Sequence, residues 1–294
     1  MALAENVLKT QSLSPATRKI VCEKDTEYPN TGEYTDLETA GTYLCRQCGL
    51  ALFRAEHKFH SGCGWPSFDA EIPGKVKREP DADGRRTEIL CIRCNAHLGH
   101  VFHGEGYTPL STRHCVNSLS LDFVESLTVN DSSEVIVAGG CFWGMEYYFK
   151  KLPGVLKTEV GYSGGIKDSP AYKEVCNGTT GHLEVLRVVF DRALLSYEQV
   201  IKYFFEIHDP TQVDGQGPDL GPQYLSAIFY YNQEQLDIAK DLITQLETLG
   251  YNVATKLRPV DVFWPAEAYH QDYYNVHRKL PYCHSWQDRF SKSN

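Results

Sequence analysis

The sequence predicts an α+β protein: an antiparallel β domain of two small sheets, followed by an α/β domain whose mixed sheet is flanked by helices. Three observations carry this. The chain has 294 residues, more than one average domain needs. Its first half consists of short strand-like runs rich in Gly, Pro and Cys, while its second half alternates apolar strands with helical patterns. A hydrophobic share of 42% supports packed cores and excludes a disordered chain.

The elements follow in order. Residues ahead of 20 read as a loose arm or short helix. TYLC (42–45), RRTEILCIRC (85–94), HLGHVF (97–102) and SLSLDFV (118–124) are short alternating strands, with DADG (81–84) as a turn. The polar stretch 126–133 separates a first domain, 14–125, from a second, 134–294. There EVIVAGG (134–140) reads as a buried strand. A helix follows, with Phe142, Met145, Phe149 and Leu152 on one face. LEVLRVVF (183–190) and YLSAIFYY (224–231) are further strands. Ser196 and Gln199 stand in capping-box positions at the start of a helix. The clearest helix has Leu236, Ala239, Leu242, Ile243 and Leu246 on one stripe and Gly250 at its end.

The formal charge of −9 argues against a nucleic-acid partner. No run approaches the roughly 18 apolar residues of a membrane span. The start, MALAENVLKTQSLSP, has no secretory pattern, so a cytoplasmic protein is expected. In that reducing compartment ten cysteines do not form a disulfide framework, which leaves metal binding, catalysis or redox chemistry.

Spacing sorts four of them. Cys45 and Cys48 form one C-x-x-C pair, Cys91 and Cys94 another. Each pair can offer two thiolates from one tight turn, and together they make a tetrahedral four-cysteine site for one Zn²⁺. Four protein ligands leave no open position for a substrate, so this zinc is expected to be structural.

Two other cysteines stand in chemically suggestive places. On a strand, Arg113, Cys115 and Asn117 share one face, and a cation beside a thiol favours the reactive thiolate. A small buried core residue is the alternative reading of Cys115. Cys141 follows Gly139 and Gly140 at the junction of a strand and a helix, where unpaired N–H groups lower a thiol's pKa. Glu184 lies on the same strand face as Leu186, Val188 and Phe190. There it would either resist ionisation and act as a proton donor, or mark a solvent-exposed strand end.

The first half resembles the B type of peptide methionine sulfoxide reductase, through SGCGWPSF (61–68), HLGH (97–100), RHCVN (113–117) and the two C-x-x-C pairs. The resemblance implies Cys115 as nucleophile and Cys63 as its resolving thiol. His97, His100, Arg113 and Asn117 would bind the sulfoxide oxygen or a water and supply protons, and Trp65 and Phe102 would hold the substrate methyl. His114 departs from the aromatic residue common there.

The second half resembles the A type, through GCFWGME (140–146), AYKEVCNGTTGHLEV (171–185), HDPTQ (208–212), DLGPQYLSAIFY (219–230) and PAEAYHQDYY (265–274). By that resemblance Cys141 is the nucleophile and Glu184 the general acid. Tyr172, Asp219 and Tyr224 hold the sulfoxide oxygen, and Phe142 and Trp143 form the methyl pocket. Cys283 of LPYCHS is the resolving thiol on a mobile tail. Leu225 and Ala268 replace the usual arginine and acidic residue, and Cys22 and Cys176 are bystanders.

Together the resemblances imply a bifunctional, cytoplasmic oxidoreductase that repairs proteins after oxidative stress. Its N-terminal domain would reduce the (R)-sulfoxide and its C-terminal domain the (S)-sulfoxide, in oxidised proteins and in free methionine sulfoxide, because each hand of the sulfoxide needs its own pocket. Sulfenic acid and disulfide intermediates follow, recycled by thioredoxin, with one structural zinc and no organic cofactor. A redox sensor with the same disulfides but without turnover is the alternative. An acyl-transferring cysteine enzyme is another, though a neutral Glu184 has no part in that chemistry.

Overall fold

The computed structural model describes residues 13–291, and the chain divides after Ser132 into two compact units. Of the expected N-terminal arm, residues 1–12 lie outside the described residues. Helix α1 (Pro15–Glu23) begins where Ser14 Oγ accepts from Thr17 N and Pro15 fills a position that needs no donor.

The first unit holds two antiparallel sheets. The smaller takes β1 (Gly41–Cys45), β2 (Ala51–Arg54) and, as its last strand, β9 (Leu121–Glu125), in the order β2-β1-β9. Between them in sequence come β3 (Lys58–Phe59), β4 (Ser67–Phe68), β5 (Val76–Pro80), β6 (Thr87–Cys91), β7 (His97–His103) and β8 (Thr112–Val116). These six form the second sheet, in the order β3-β4-β8-β7-β6-β5. It is larger than the small sheet expected, because KF, SF and the charged VKREP also pair into it. Their cross-strand partners, not their own apolar pattern, make them strands. Tyr43, Phe53, Phe68, Leu52, Ile89 and Leu98 are buried in the core of this unit.

The stretch 126–132 is docked onto the first unit. Thr42 Oγ1 donates to Leu127 O at 2.7 Å, Lys75 pairs with Asp131, and the buried Ser132 hydroxyl donates to Gly49 O at 2.7 Å.

The second unit is built on β10 (Ser132–Gly139), β11 (Val155–Ser163), β12 (Leu183–Asp191), β13 (Gly215–Gln216), β14 (Asp219–Leu220), β15 (Ser226–Tyr230), β16 (Lys256–Pro259) and β17 (Trp264–Pro265). Its sheet runs β16-β15-β10-β12-β11-β17, and β13 and β14 make a separate hairpin. The sheet is mixed: β15 and β16 are parallel, while β10–β15, β11–β12 and β11–β17 are antiparallel. Helices α2 (Phe142–Phe149), α3 (Tyr172–Cys176), α4 (Tyr197–Ile207), α5 (Gln233–Thr248) and α6 (Tyr273–Val276) accompany it. Met145 and Phe149 of α2, Phe204 and Phe205 of α4, and Leu242 and Leu246 of α5 share one core with Val137, Leu186 and Val188 of the sheet. The other face packs Ile136, Val185 and Phe229 against Val260 and Phe263 of a loop. The capping box of Ser196 and Gln199 closes the start of α4 in both directions. Helix α2 stops at Phe149, four residues ahead of Pro153, so Leu152 packs on the core from outside it.

Candidate active sites and metal centre

Two near-identical turns build the four-cysteine cluster. Cys45 N donates to Leu50 O and Gly49 N to Cys45 O; likewise Cys91 N donates to Ala96 O and Asn95 N to Cys91 O. Gly49 (φ 67°) and Asn95 (φ 54°) close the turns in the left-handed region, which these two residue types tolerate best. The sulfurs Cys45–Cys94 and Cys48–Cys91 lie 3.6 Å apart, and all four fall within 4.8 Å of one another. A tetrahedron of Zn–S bonds has an edge of about 3.8 Å, so the four thiols fit such an ion. All four cysteines are buried, which suits a closed site.

Cys115 lies on β8 in a row that crosses the second sheet. Ser67 of β4 pairs with Cys115, Cys115 with His100 of β7, and His100 with Glu88 of β6, so these side chains stand on one face. Phe102 pairs with Arg113 in the same way, and the Arg113 guanidinium lies 4.5 Å from the Phe102 ring. Two carboxylate oxygens of Glu105 hold that guanidinium at 2.7 and 2.9 Å.

His97 and His100 are three residues apart and would face opposite ways on a regular strand. A register shift between Ile89 and Leu90 brings them together, with ring centroids 5.6 Å apart. Gly99 (φ 145°) sits at this irregularity, and a Cβ there would lie 2.0 Å from Cys115 O. Glu88 bonds His97 Nδ1 at 2.7 Å and Lys24 Nζ at 2.8 Å, leaving His97 Nε2 buried without a partner. Asp81 bonds His100 Nε2. Asn117 Oδ1 accepts from Glu27 N and its Nδ2 donates to Leu98 O, while Glu27 O accepts from Trp65 Nε1.

Cys63 Sγ stands 3.8 Å from Cys115 Sγ and 3.5 Å from Ser67 Oγ. The two thiols are close enough to hydrogen-bond, either one donating. The Cys115 thiol, with the Ser61 and Ser67 hydroxyls, holds Cys63 down at about 4. The same contact and burial push Cys115 up, opposed by Arg113. His114 points to the opposite side of β8, where Phe68 O and Glu71 bond its ring, so it does not face the thiol.

Cys141 occupies the N-cap position of α2. Of the two glycines before it, Gly140 is the one that needs its freedom. Its φ is 90°, and a Cβ would lie 2.3 Å from Gln216 Cβ. Cys141 and Cys283 are each 6% exposed, and their sulfurs and an Asp219 oxygen all lie within 4.8 Å of one another. The helix start, through Trp143 N, lowers the Cys141 thiol as its position suggests. The contact with Cys283 and then burial outweigh it, so the net direction is up.

Glu184 is 2% exposed, paired with Tyr162 across β11–β12, and its carboxylate accepts from Phe142 N at 3.1 Å. Burial pushes its carboxyl well above the usual range, helped by Cys141. Asp219 Oδ1 accepts from Tyr282 OH at 3.0 Å, while Oδ2 is buried without a partner. Burial raises the Tyr172 and Tyr224 hydroxyls above their ordinary value, and both feel Glu184. Phe142 and Trp143 contact His270, and Trp143 stacks on Tyr273 at 3.7 Å. Cys176 is exposed at the end of α3.

Sequence reasoning missed the residues that hold these groups: Glu27, Asp81, Glu88 and Glu105 in the first unit, and Glu267 and His270 in the second. Glu267 accepts from Tyr162 OH and Tyr172 N, and His270 accepts from Trp143 Nε1. Their contacts run between strands and loops, eight residues apart for Glu105 and Arg113 and 127 for Trp143 and His270, so no local pattern reports them. The segment around Cys283, expected to be a mobile tail, makes contacts in this structure. Tyr148 OH donates to His284 O, and Gln287 N to Glu206 O.

Comparison with known proteins adds the lineage. Residues 133–294 match the peptide methionine sulfoxide reductase family and residues 13–125 the SelR domain. The peptide methionine sulfoxide reductase MsrA of Thermus thermophilus is 51% identical over 148 residues, covering 50% of this chain and 84% of that protein. The MsrA/MsrB protein of Vibrio cholerae is 45% identical over 158 residues, covering 53% of this chain and 42% of that protein. The reduced Mxr1 of Saccharomyces cerevisiae superposes with a TM-score of 0.50 at 35% identity, over 53% of this chain and 92% of that one. The chain therefore belongs to the peptide methionine sulfoxide reductase family and joins that reductase unit to an N-terminal SelR domain.

Proposed function

We propose that the chain is a bifunctional methionine sulfoxide reductase, with residues 14–125 acting on the (R)-sulfoxide and residues 134–294 on the (S)-sulfoxide. The observation that carries this is the recurrence, in each unit, of a paired thiol beside proton-bearing side chains. In the second unit Cys141 attacks the sulfoxide sulfur, and the protonated Glu184 donates to the departing oxygen. Asp219, Tyr172 and Tyr224 hold that oxygen, and Phe142 and Trp143 wall the methyl. In the first unit Cys115 is the attacking thiol. Arg113, His97, His100 and the remaining N–H of Asn117 serve the oxygen, and Trp65 and Phe102 the methyl. Methionine leaves and a sulfenic acid remains.

Cys63 then attacks the sulfenic acid of Cys115, and Cys283 that of Cys141, each releasing water and leaving a disulfide. An external dithiol of the thioredoxin class reduces both, and a reducing, cytoplasmic compartment suits such recycling. The buried cluster of Cys45, Cys48, Cys91 and Cys94 holds one structural zinc, which clamps the β1–β2 turn to the β6–β7 turn and takes no part in the chemistry.

The test is epimer-resolved. Cys115→Ser is expected to abolish reduction of the (R)-sulfoxide alone and Cys141→Ser that of the (S)-sulfoxide alone, read as methionine formed with dithiothreitol as reductant. Loss of both activities in either folded variant would refute the assignment.

A further inference from the structure

Cys283 is followed by a histidine that the proposed chemistry does not use. His284 is 5% exposed and lies against the start of α2. Its Nε2 bonds Gly139 O at 2.7 Å, and Nδ1 lies 3.1 Å from Cys283 Sγ. A carbonyl can only accept, so Nε2 carries the ring proton. In the neutral ring Nδ1 is then a free lone pair aimed at the thiol. The seat is tailored to the ring: a Cβ on Gly144 would lie 2.2 Å from His284 Nδ1, so only glycine at that helical position admits it. Tyr148 OH holds the backbone at His284 O.

We infer that His284 is the general base of the resolving step, taking the proton from Cys283 as that thiol attacks Cys141. This rests on the proposed roles of Cys141 and Cys283. The balance is simple. Cys283 S–H gives its proton to Nδ1, and its electron pair forms the S–S bond to the sulfenic sulfur of Cys141. The S–O bond breaks, and the departing hydroxide takes the proton back from Nδ1 as water. Cys283 sulfur is oxidised, Cys141 sulfur is reduced, and His284 ends neutral.

The charged and titratable groups around the ring set its charge. Burial drives the His284 imidazole down to about 4, against a raising influence from Asp219. His208, at the end of α4, is itself buried and held down to about 3, so it adds no charge at neutral pH. The ring is therefore neutral at neutral pH, and its Nδ1 lone pair stays open toward the Cys283 thiol.

The experiment follows one turnover of the full chain on an (S)-sulfoxide without reductant. The Cys141 sulfenic acid is trapped with dimedone at timed points, and the Cys141–Cys283 disulfide is quantified by peptide mass spectrometry. The readout is the rate from sulfenic acid to disulfide, which a change in the first step does not enter. In the wild type this rate is expected to be nearly flat between pH 6 and 8. In His284→Asn it should fall at least about tenfold at pH 7 and climb about tenfold per pH unit above that, as solvent hydroxide takes the proton in place of the ring. His284→Gln should behave alike. An unchanged rate, or a loss by the same factor at every pH as expected if the ring merely placed Cys283, would overturn the inference. Absence of the Cys141–Cys283 disulfide in the wild type would instead overturn the assignment of the two cysteines.

Discussion

At the residue scale, the second unit separates two tasks that one medium would confuse. Burial raises Glu184, which keeps it a donor, while the start of α2 offers Cys141 its N–H groups. Glu184→Gln keeps the shape and loses the proton, so (S)-sulfoxide reduction should fall by about 10²–10⁴-fold, with (R)-sulfoxide reduction unaffected. The substitution has a stability signature of known sign. A carboxyl raised on folding contributes its stability below the unfolded value near 4.5, and this is lost as pH rises toward the folded value. Relative to wild type, Glu184→Gln should thus gain about 1.4 kcal/mol per pH unit across that window. Urea unfolding at pH 5, 6 and 7 measures it, and a difference that does not grow with pH would refute the buried-acid reading. In the first unit the Cys63–Cys115 contact is the largest influence on Cys115. Cys63→Ser removes the largest influence raising Cys115 and leaves Arg113 beside it. Alkylation of Cys115 by iodoacetamide at pH 7 should therefore accelerate, and a slower reaction would place the thiolate control elsewhere.

At the scale of elements, both units spend backbone irregularity on chemistry. The irregularity between β6 and β7 turns His97 and His100 to one side, and Gly99 is what lets β7 lie against Cys115 O. Gly99→Ala should destabilise the first unit by more than about 2 kcal/mol and depress (R)-sulfoxide reduction, as thermal unfolding and epimer-resolved assay would report. The proposed zinc at the four-cysteine cluster gives a second element-level prediction: one zinc per purified chain, and a lower melting temperature of the first unit after chelation, without zinc-dependent chemistry in the second. The four-cysteine cluster marks where sequence reading succeeds. The C-x-x-C spacing, the capping box at Ser196 and the apolar stripe of α5 are local patterns, and local patterns are legible. β11 is not: Lys157 and Glu159 interrupt its apolar run, and it is a strand because β12 pairs along it from Val155 to Ser163. Likewise Glu88 was invisible as a partner of His97, since only the sheet brings them together. The candidate nucleophiles were legible through motif and resemblance, whereas the carboxylates around them and the contact of His284 with Cys283 come only from the fold.

At the scale of the whole molecule, the proposed roles give each unit its own nucleophile, its own resolving cysteine and its own proton donors, so on that proposal nothing in the chemistry is shared except the source of electrons. That separation has a kinetic consequence. With dithiothreitol in excess, each disulfide is reduced independently, and methionine production from mixed epimers should equal the sum of the rates on pure (R)- and pure (S)-sulfoxide. With thioredoxin limiting, both disulfides draw on one pool of reduced dithiol, and the combined rate should fall below that sum toward the rate of thioredoxin recycling. Steady-state assays on the pure and mixed epimers at two thioredoxin concentrations distinguish the regimes. A shortfall with excess dithiothreitol would mean that the two sites are coupled or compete for one substrate pocket. Additive rates under limiting thioredoxin would mean that the two units do not take electrons from the same donor.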